Sequence, residues 1–389
     1  MSSDMPLPRR RVLVVDDSAF MRRLVSDVVI SSGEFDVVGT AKDGHDALRQ
    51  IAELDPDIVT LDVDMPGLDG LAALDAIMQD SPRPVVMLSA GGSDGGVEAT
   101  LRALERGAVD FVRKPSGAIS LDLELVRDQL LDALRAASVV SPTQLVARAA
   151  HRQREQVEVF PRASTLGMRR GGALSASSAH ERLTHAPTAV VVIAASTGGP
   201  AALADVVPQL PAWRDVAVLI VQHMPAGFTS SFAKRLGTRS RLPVHEAMDG
   251  EPLRAGQVYV APGGLHLRIA GSQSAPVLRL DDSSPLWGVR PAADHLFHAA
   301  ARCFGAATVG VVMTGMGRDA AEGLQAIRMA GGLGVVQDSA SCVVSGMPDA
   351  ARRIAGADAV APLSELASVV SAHVATRRVI VAAATGGTA

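Results

Sequence analysis

The stretch Val190-Val191-Val192-Ile193-Ala194-Ala195-Ser196-Thr197-Gly198-Gly199-Pro200 decides how the second half of the chain folds. Val190 to Ala194 is an uninterrupted apolar run, as a strand buried on both faces requires. The run ends in Ser, Thr and two glycines, and an apolar helical pattern follows through Leu203 and Val206-Val207. A strand that turns straight into a helix is the unit of a parallel sheet, and such turns lie beyond the carboxyl edge where crevices form. A Ser there exposes its oxygen, and the backbone N–H groups after it point at any developing oxyanion. The same residues also suit a plain helix start, with Ser or Thr capping and glycines relieving the turn. The motif alone leaves both roles open.

Outward from this stretch, apolar runs at Val216 to Val221, Val258-Tyr259-Val260 and Thr308 to Met313 alternate with helical patterns as far as about Val374. The N-terminal region alternates in the same way with different residues. Val12 to Val15, Val37-Val38-Gly39, Ile58 to Leu61, Val85 to Leu88 and Phe111-Val112 read as strands, Phe20 to Val29 as the first helix and Leu121 to Leu134 as the closing one. Between about Ala137 and Ala186 the apolar periodicity fades and Ser, Gly and Arg accumulate, which reads as a linker. The expected fold class is therefore α/β: two doubly wound parallel-sheet domains, residues 11–136 and 187–376, joined by a linker at 137–186. The end, Thr385-Gly386-Gly387-Thr388-Ala389, is expected to fray.

Composition narrows the function. A chain of 389 residues is too long for one ordinary core. With 48% hydrophobic and 20% charged residues it can bury cores, but 3% aromatics leave few stacking platforms for bases or sugars. A net charge of −4 supplies no global field for a polyanion, so nucleic acid is not an expected partner. Cys303 and Cys342 are too far apart for a Cys-x-x-Cys pair and too few for a disulfide scaffold, which fits a reducing cytoplasm. Apolar stretches such as Ala189 to Ala195 fall below the ~18 residues that span a bilayer, and no direct membrane insertion is expected.

Two sets of strand-end residues carry the chemistry. Asp16 and Asp17 follow the first strand and Asp62 follows Ile58 to Leu61. Three carboxylates at one crevice either raise a pKa or hold a hard divalent cation such as Mg²⁺. Lys114 and Ser89, each after another strand, add an ammonium and a hydroxyl, so phosphate would find suitable groups there. Any one of these alone is more simply a solvated strand-end residue.

In the second region a Ser nucleophile needs a base, and His223 follows Val216 to Val221 and Gln222 at a strand end. The imidazole in turn needs an orienting carboxylate. Asp319 is reached from Thr308 to Met313 through Thr314-Gly315-Met316-Gly317-Arg318, although it also suits capping a helix that starts at Ala320. Asp294, His295 and His298 have metal-like spacing but read more simply as a packed helix face. The order Ser, His, Asp, together with Ala194 where a glycine-x-Ser-x-glycine elbow needs glycine, disfavours an ordinary lipase.

Over about residues 11–135 the chain resembles the receiver domains of two-component signalling. The matching motifs are Val-Val-Asp-Asp-Ser at 14–18, Leu-Asp-Val-Asp-Met-Pro-Gly-Leu-Asp-Gly at 61–70, Leu-Ser-Ala at 88–90 and Arg-Lys-Pro-Ser at 113–116. The resemblance implies a flavodoxin-like receiver that takes a phosphoryl group on Asp62. It further implies Mg²⁺ held by Asp16, Asp17, Asp62 and the Asp64 carbonyl, phosphoryl contacts from Ser89 and Lys114, Phe111 as the switch aromatic, and a cis Lys114-Pro115 bond.

Over about residues 188–372 the chain resembles the catalytic domain of the CheB family, bacterial chemotaxis protein-glutamate methylesterases and glutamine deamidases. The motifs are Ala-Ser-Thr-Gly-Gly-Pro at 195–200, Gln-His-Met-Pro-Ala-Gly-Phe-Thr at 222–229, Ala-Pro-Gly-Gly-Leu-His-Leu at 261–267, Thr-Gly-Met-Gly-Arg-Asp at 314–319 and Gly-Met-Pro at 346–348. Implied are a Rossmann-like three-layer hydrolase domain with Ser196 as nucleophile, His223 as base and Asp319 as orienter, and with Thr197, Gly198 and Met316 supporting the oxyanion. Ester hydrolysis would need no cofactor. Implied partners are methyl-accepting chemoreceptors as substrate and a chemotaxis histidine kinase as phosphodonor, with the unphosphorylated receiver packed over the Ser196 crevice. Ala194 and Ala320 stand where members commonly carry glycine. The rival readings are a response regulator with a non-catalytic binding output domain, which would show a basic base-reading helix, and a general small-ester serine hydrolase.

Overall fold

The short apolar runs of the N-terminal region become parallel strands with helices packed on both faces. In chain order they are β1 (Arg10–Val15), α1 (Ala19–Ser31), β2 (Phe35–Ala41), α2 (Gly44–Leu54), β3 (Ile58–Asp62), α3 (Gly70–Asp80), β4 (Val85–Ser89), α4 (Asp94–Arg106), β5 (Asp110–Arg113) and α5 (Asp122–Ser138). The computed structural model from which they are taken describes residues 9–90, 94–115, 122–140 and 185–385. Ser18, Asp43 and Asp69 cap α1, α2 and α3 by accepting the N–H groups of Met21, Asp46 and Ala72. The strand order β2-β1-β3-β4-β5 reverses direction between β1 and β3, so a crevice opens where Asp16 and Asp62 leave the sheet. Successive β1 side chains serve opposite layers. Val12 and Val14 pack with Val25, Val29 and Leu134, and Leu13 and Val15 belong to the other cluster with Ile51 and Leu74.

The second region builds a larger sheet from β6 (Ala189–Ala195), α6 (Gly199–Val206), β7 (Val216–Gln222), α7 (Thr229–Arg239), β8 (Val244–Glu246) and β9 (Val258–Val260). An antiparallel hairpin follows, β10 (His266–Ser272) with β11 (Ala275–Asp281). The chain then returns through α8 (Ala293–Phe304), β12 (Thr308–Val312), α9 (Ala321–Met329), β13 (Leu333–Gln337), α10 (Gly346–Ile354), β14 (Ala359–Ala361) and α11 (Leu363–Thr385). The order β14-β13-β12-β6-β7-β9-β8 puts β6 in the middle, every residue of it buried, with the wound direction changing between β6 and β12. The loops after β6, β7 and β12 therefore open side by side at the carboxyl edge.

Two sheets of this kind are the α/β architecture read from the sequence. The differences are local. Strands β8, β13 and β14 and the β10–β11 hairpin had no clear reading. The helix α11 continues to Thr385, and 386–389 lie outside the described residues, as do 141–184, most of the expected linker. The cis bond among the described residues is Arg290-Pro291, not Lys114-Pro115. No helix of the described residues is long and apolar enough to cross a membrane.

Candidate functional site

At the carboxyl ends of β1 and β3, oxygens of Asp16, Asp17 and Asp62 lie within 4.8 Å of one another. Asp16 and Asp62 are buried and Asp17 is exposed. Lys114, just past β5, places Nζ 2.7 Å from Asp16 Oδ2 and 2.7 Å from Asp62 Oδ2. Burial pushes the Asp62 carboxyl up to about 6, against the pull of Lys114 and with the push of the Asp16 charge. Burial works against the Lys114 charge, but the two carboxylates raise its pKa above the ordinary lysine value. The Asp64 N–H donates to Asp62 Oδ1 at 3.4 Å, and Ser89, at the end of β4, accepts from the Thr100 hydroxyl at 2.8 Å. The structure thus brings together the acidic residues, Ser89 and Lys114 around one crevice.

In the second sheet the register does the assembling. Ala195 of β6 pairs with Gln222 of β7, and the His223 N–H donates to Ala195 O at 3.0 Å. Ser196 and His223 therefore leave adjacent strand ends. On the other side of β6, the Ser196 N–H donates to Thr314 O at 3.0 Å, which brings the loop after β12 against the same Ser. Gly315 is required there, because a Cβ would lie 2.7 Å from Ser196 Cβ and 2.4 Å from Met347 Sδ. At Gly198, φ is +76° and a Cβ would lie 2.1 Å from Val343 Cγ2, so the turn into α6 accepts only glycine.

His223 Nε2 lies 2.7 Å from Asp319 Oδ2. The buried Asp319 carboxylate also accepts the Ala293 N–H on Oδ2 at 2.6 Å and the Asp294 and Ala320 N–H groups on Oδ1, both at 2.9 Å. Burial would raise its pKa, but the His223 bond and the N–H donors hold it below the ordinary carboxylate value. Asp319 faces the imidazole and satisfies N–H groups at the start of α8, a helix distant in sequence, whereas α9, the helix it was expected to cap, starts from Ala320 with no side-chain cap. Ala320 adopts φ +73°, a left-handed conformation that favours glycine, whereas Ala194 is ordinary strand. Asp294 accepts the Trp287 indole N–H at 2.8 Å and the Gly323 N–H at 2.6 Å, and among the described residues His295 and His298 belong to no metal-like cluster.

Sequence reasoning expected the receiver over this crevice but not the residues that make the contact. Asp110, first residue of β5 in the other domain, accepts the Thr197 hydroxyl on Oδ2 at 2.5 Å. Burial raises its carboxyl pKa, while Thr197 and the nearby His223 act in the opposite direction. Phe111 packs against Phe228 with ring centroids 4.5 Å apart and the rings tilted by 37°, and Val343, Val344 and Met316 pack into the cluster that holds Val112 and Leu130. Arg235 of α7 grips Glu105 of α4 through two bonds of 2.5 Å and also pairs with Glu98. Nothing in an acid that opens a four-residue strand marks it in advance as a group for a distant domain.

The fold and its two crevices define a class: a phosphoryl-receiver type of domain docked on an α/β domain whose strand ends gather Ser, His and Asp. Family models match both parts, "CheB methylesterase" over residues 191–370 and "Response regulator receiver domain" over 12–125. A protein-glutamate methylesterase/protein-glutamine glutaminase of Symbiobacterium thermophilum is 44% identical over 364 residues, 93% of this chain and 96% of that protein. One from Pyrococcus abyssi is 42% identical over 369 residues, 94% of each. The crystal structure of the Thermotoga maritima CheB methylesterase catalytic domain, 39% identical, covers 46% of this chain and 96% of its own with a TM-score of 0.45. The chain belongs to the CheB family of response-regulator methylesterases.

Proposed function

We propose that this protein is a phosphorylation-regulated carboxylic ester hydrolase that removes methyl groups from glutamate side chains of methyl-accepting chemoreceptors, and deamidates receptor glutamines, in the cytoplasm. The observation that carries the proposal is the meeting of three strand-end loops: Ser196 beside His223 through the β6–β7 register, and His223 bonded to Asp319 at 2.7 Å.

Ser196 Oγ attacks the γ-carbonyl carbon while His223 takes its proton, a role typically worth about 10²- to 10⁴-fold in rate. Asp319 fixes the imidazole tautomer and stabilises the imidazolium. Backbone N–H groups of the Thr197–Gly198 turn and of Met316 face the oxyanion, and one such donor contributes about 2.7 to 4 kcal/mol. His223 then hands its proton to the leaving methanol, or ammonia from glutamine, and water repeats the attack on the acyl-enzyme. This chemistry uses no cofactor.

The N-terminal domain, about residues 11–136, serves as the receiver, and 187–376 as the catalytic domain, joined by 137–186. A chemotaxis histidine kinase supplies the phosphoryl group to Asp62. The oxygen-rich cluster of Asp16, Asp17 and Asp62 suits a hard divalent cation, so these three and the Asp64 carbonyl would hold Mg²⁺. Bound there, Mg²⁺ supplies charge neutralisation for the incoming phosphoryl oxygens. Lys114 and Ser89, whose hydroxyl accepts from Thr100 and keeps its own proton to donate, bind those oxygens, which frees Phe111 to repack. Docked as it is, the receiver lies over Thr197 and restricts the crevice, and phosphorylation weakens that docking.

The direct test measures methanol released from a methylated receptor fragment with and without acetyl phosphate. Activity that rises with acetyl phosphate and is lost by at least about 10³-fold in Ser196→Ala is expected. Turnover retained by the variant would remove Ser196 from the mechanism.

A further inference from the structure

The 261–267 motif contributes no residue to the Ser196, His223 and Asp319 set, yet its His266 is fully buried on β10. Its Nδ1 accepts the Ala292 N–H at 3.0 Å, and Nε2 lies 3.2 Å from Ser284 O. A backbone N–H only donates and a carbonyl only accepts, so both contacts are met by one form alone, the neutral ring protonated on Nε2. Ala292 is the N-cap of α8, and it offers no side chain to cap that helix. The next two N–H groups, of Ala293 and Asp294, are those that hold the Asp319 carboxylate. Three consecutive N–H groups thus find two remote acceptors, one imidazole and one carboxylate.

Other contacts converge on the same segment. Arg290 O, two residues earlier, accepts the Gly264 N–H at 3.1 Å, tying the motif's glycine turn to the approach of α8. The His295 ring packs edge-on against His266 at 4.2 Å. Burial lowers the His266 pKa. The Ser284 bond and Asp281 pull toward the charged form, and Arg268 and Arg290 push away from it. An imidazolium would set an N–H against the Ala292 N–H.

We infer that His266 is a positioning residue for the hydrolytic site: its neutral imidazole anchors the start of α8, whose N–H groups set the place of Asp319 and through it the orientation of His223. This inference rests on the hydrolase reading above. Among the described residues the hydrogen bonds of His266 go to Ala292 and Ser284 and its ring contact to His295, so its route to the site runs through α8.

Amide side chains separate the two ring nitrogens. In His266→Asn the amide oxygen takes the place of Nδ1 and keeps the acceptor for Ala292. In His266→Gln the amide nitrogen takes the place of Nε2 and that acceptor is lost. Assayed as full-length protein with acetyl phosphate, H266Q is expected to lose about 10-fold or more in kcat with KM little changed, because small misplacements of catalytic groups are costly. H266N is expected to stay within about 3-fold of the wild type on the same reasoning. Equal losses in both variants, or none in either, would overturn the inference.

Should either variant fail to fold, nitrogen NMR of histidine-labelled wild type decides. An unprotonated Nδ1 and a protonated Nε2 on His266, unchanged across the pH range of activity, are expected, and a protonated Nδ1 would overturn it. Ser196→Ala run alongside keeps the two readings apart. A wild type that releases no methanol, or an S196A that releases as much, fails the hydrolase reading and this one with it. An inert S196A beside a fully active H266Q fails only the positioning role.

Discussion

Asp110 carries the most specific consequence at the scale of single residues. Its carboxyl is buried against the Thr197 hydroxyl with a raised pKa, and on undocking it would return to solvent and to an ordinary pKa near ~3.9. The docked form therefore binds more protons than the open one. Docking is strongest below the free pKa and weakens as pH rises through the docked pKa, so alkaline conditions favour the open receiver. The ratio of methanol release without acetyl phosphate to that with it should climb with pH, since the pH dependence of the catalytic groups cancels in the ratio. Asp110→Asn keeps an acceptor for Thr197 without a buried charge. It is expected to flatten that climb and to lower unphosphorylated activity at neutral pH. An unchanged slope in the variant would assign the pH response to another group.

At the scale of elements, α4 and α7 meet through one cation. Arg235 pairs with both oxygens of Glu105 and with Glu98, and all three are partly shielded. Exposed pairs contribute about 0.2 to 1 kcal/mol. Arg235→Ala should therefore raise unphosphorylated methanol release by roughly 2- to 5-fold while leaving the acetyl phosphate-activated rate unchanged. Added salt should shrink the difference between variant and wild type, and a salt-independent difference would point to lost packing instead.

The same scale explains what the sequence made legible. β1, β3, β4, β6, β7 and β12 are buried on both faces and appear as continuous apolar runs ending at the residues that carry chemistry. β8 and β14 have only three residues each, none fully buried in β8, and β13 offers only Val335-Val336 between Gly334 and Gln337. The β10–β11 hairpin alternates buried with partly exposed positions and carries Arg268 and Arg279, so it offers no continuous run. Ser196, His223, Asp319 and Asp62 could be singled out because strand ends are readable one strand at a time. Asp110 and His266 could not, since Thr197 and Ala292, to which they bond, are chosen by packing between distant segments. Ala320 stands where a glycine is expected, but its φ of +73° is visible only in the folded turn.

At the scale of the whole molecule, regulation depends on how much docking energy phosphorylation can remove. Each tenfold change in the open population needs about 1.4 kcal/mol, so a hundredfold activation needs only about 2.8 kcal/mol, the size of a few contacts. The Phe111–Phe228 contact is placed to be one of them, because Phe111 follows Asp110 on β5 and lies near the Lys114 end of the phosphoryl crevice. Aromatic pairs of this kind contribute about 0.5 to 1.5 kcal/mol beyond area burial. Phe111→Leu and Phe228→Leu should each raise unphosphorylated methanol release, by roughly 2- to 10-fold on that scale. If they act through the one contact, the double variant should gain little over either single variant, a coupling of about 0.5 kcal/mol or more. Fully activated rates should stay level across the set, since in the proposed mechanism phosphorylation releases that contact. Additive gains, or a fall in the activated rate of Phe111→Leu, would mean that the two rings serve their own domains and that the docking energy lies with Asp110 and Arg235.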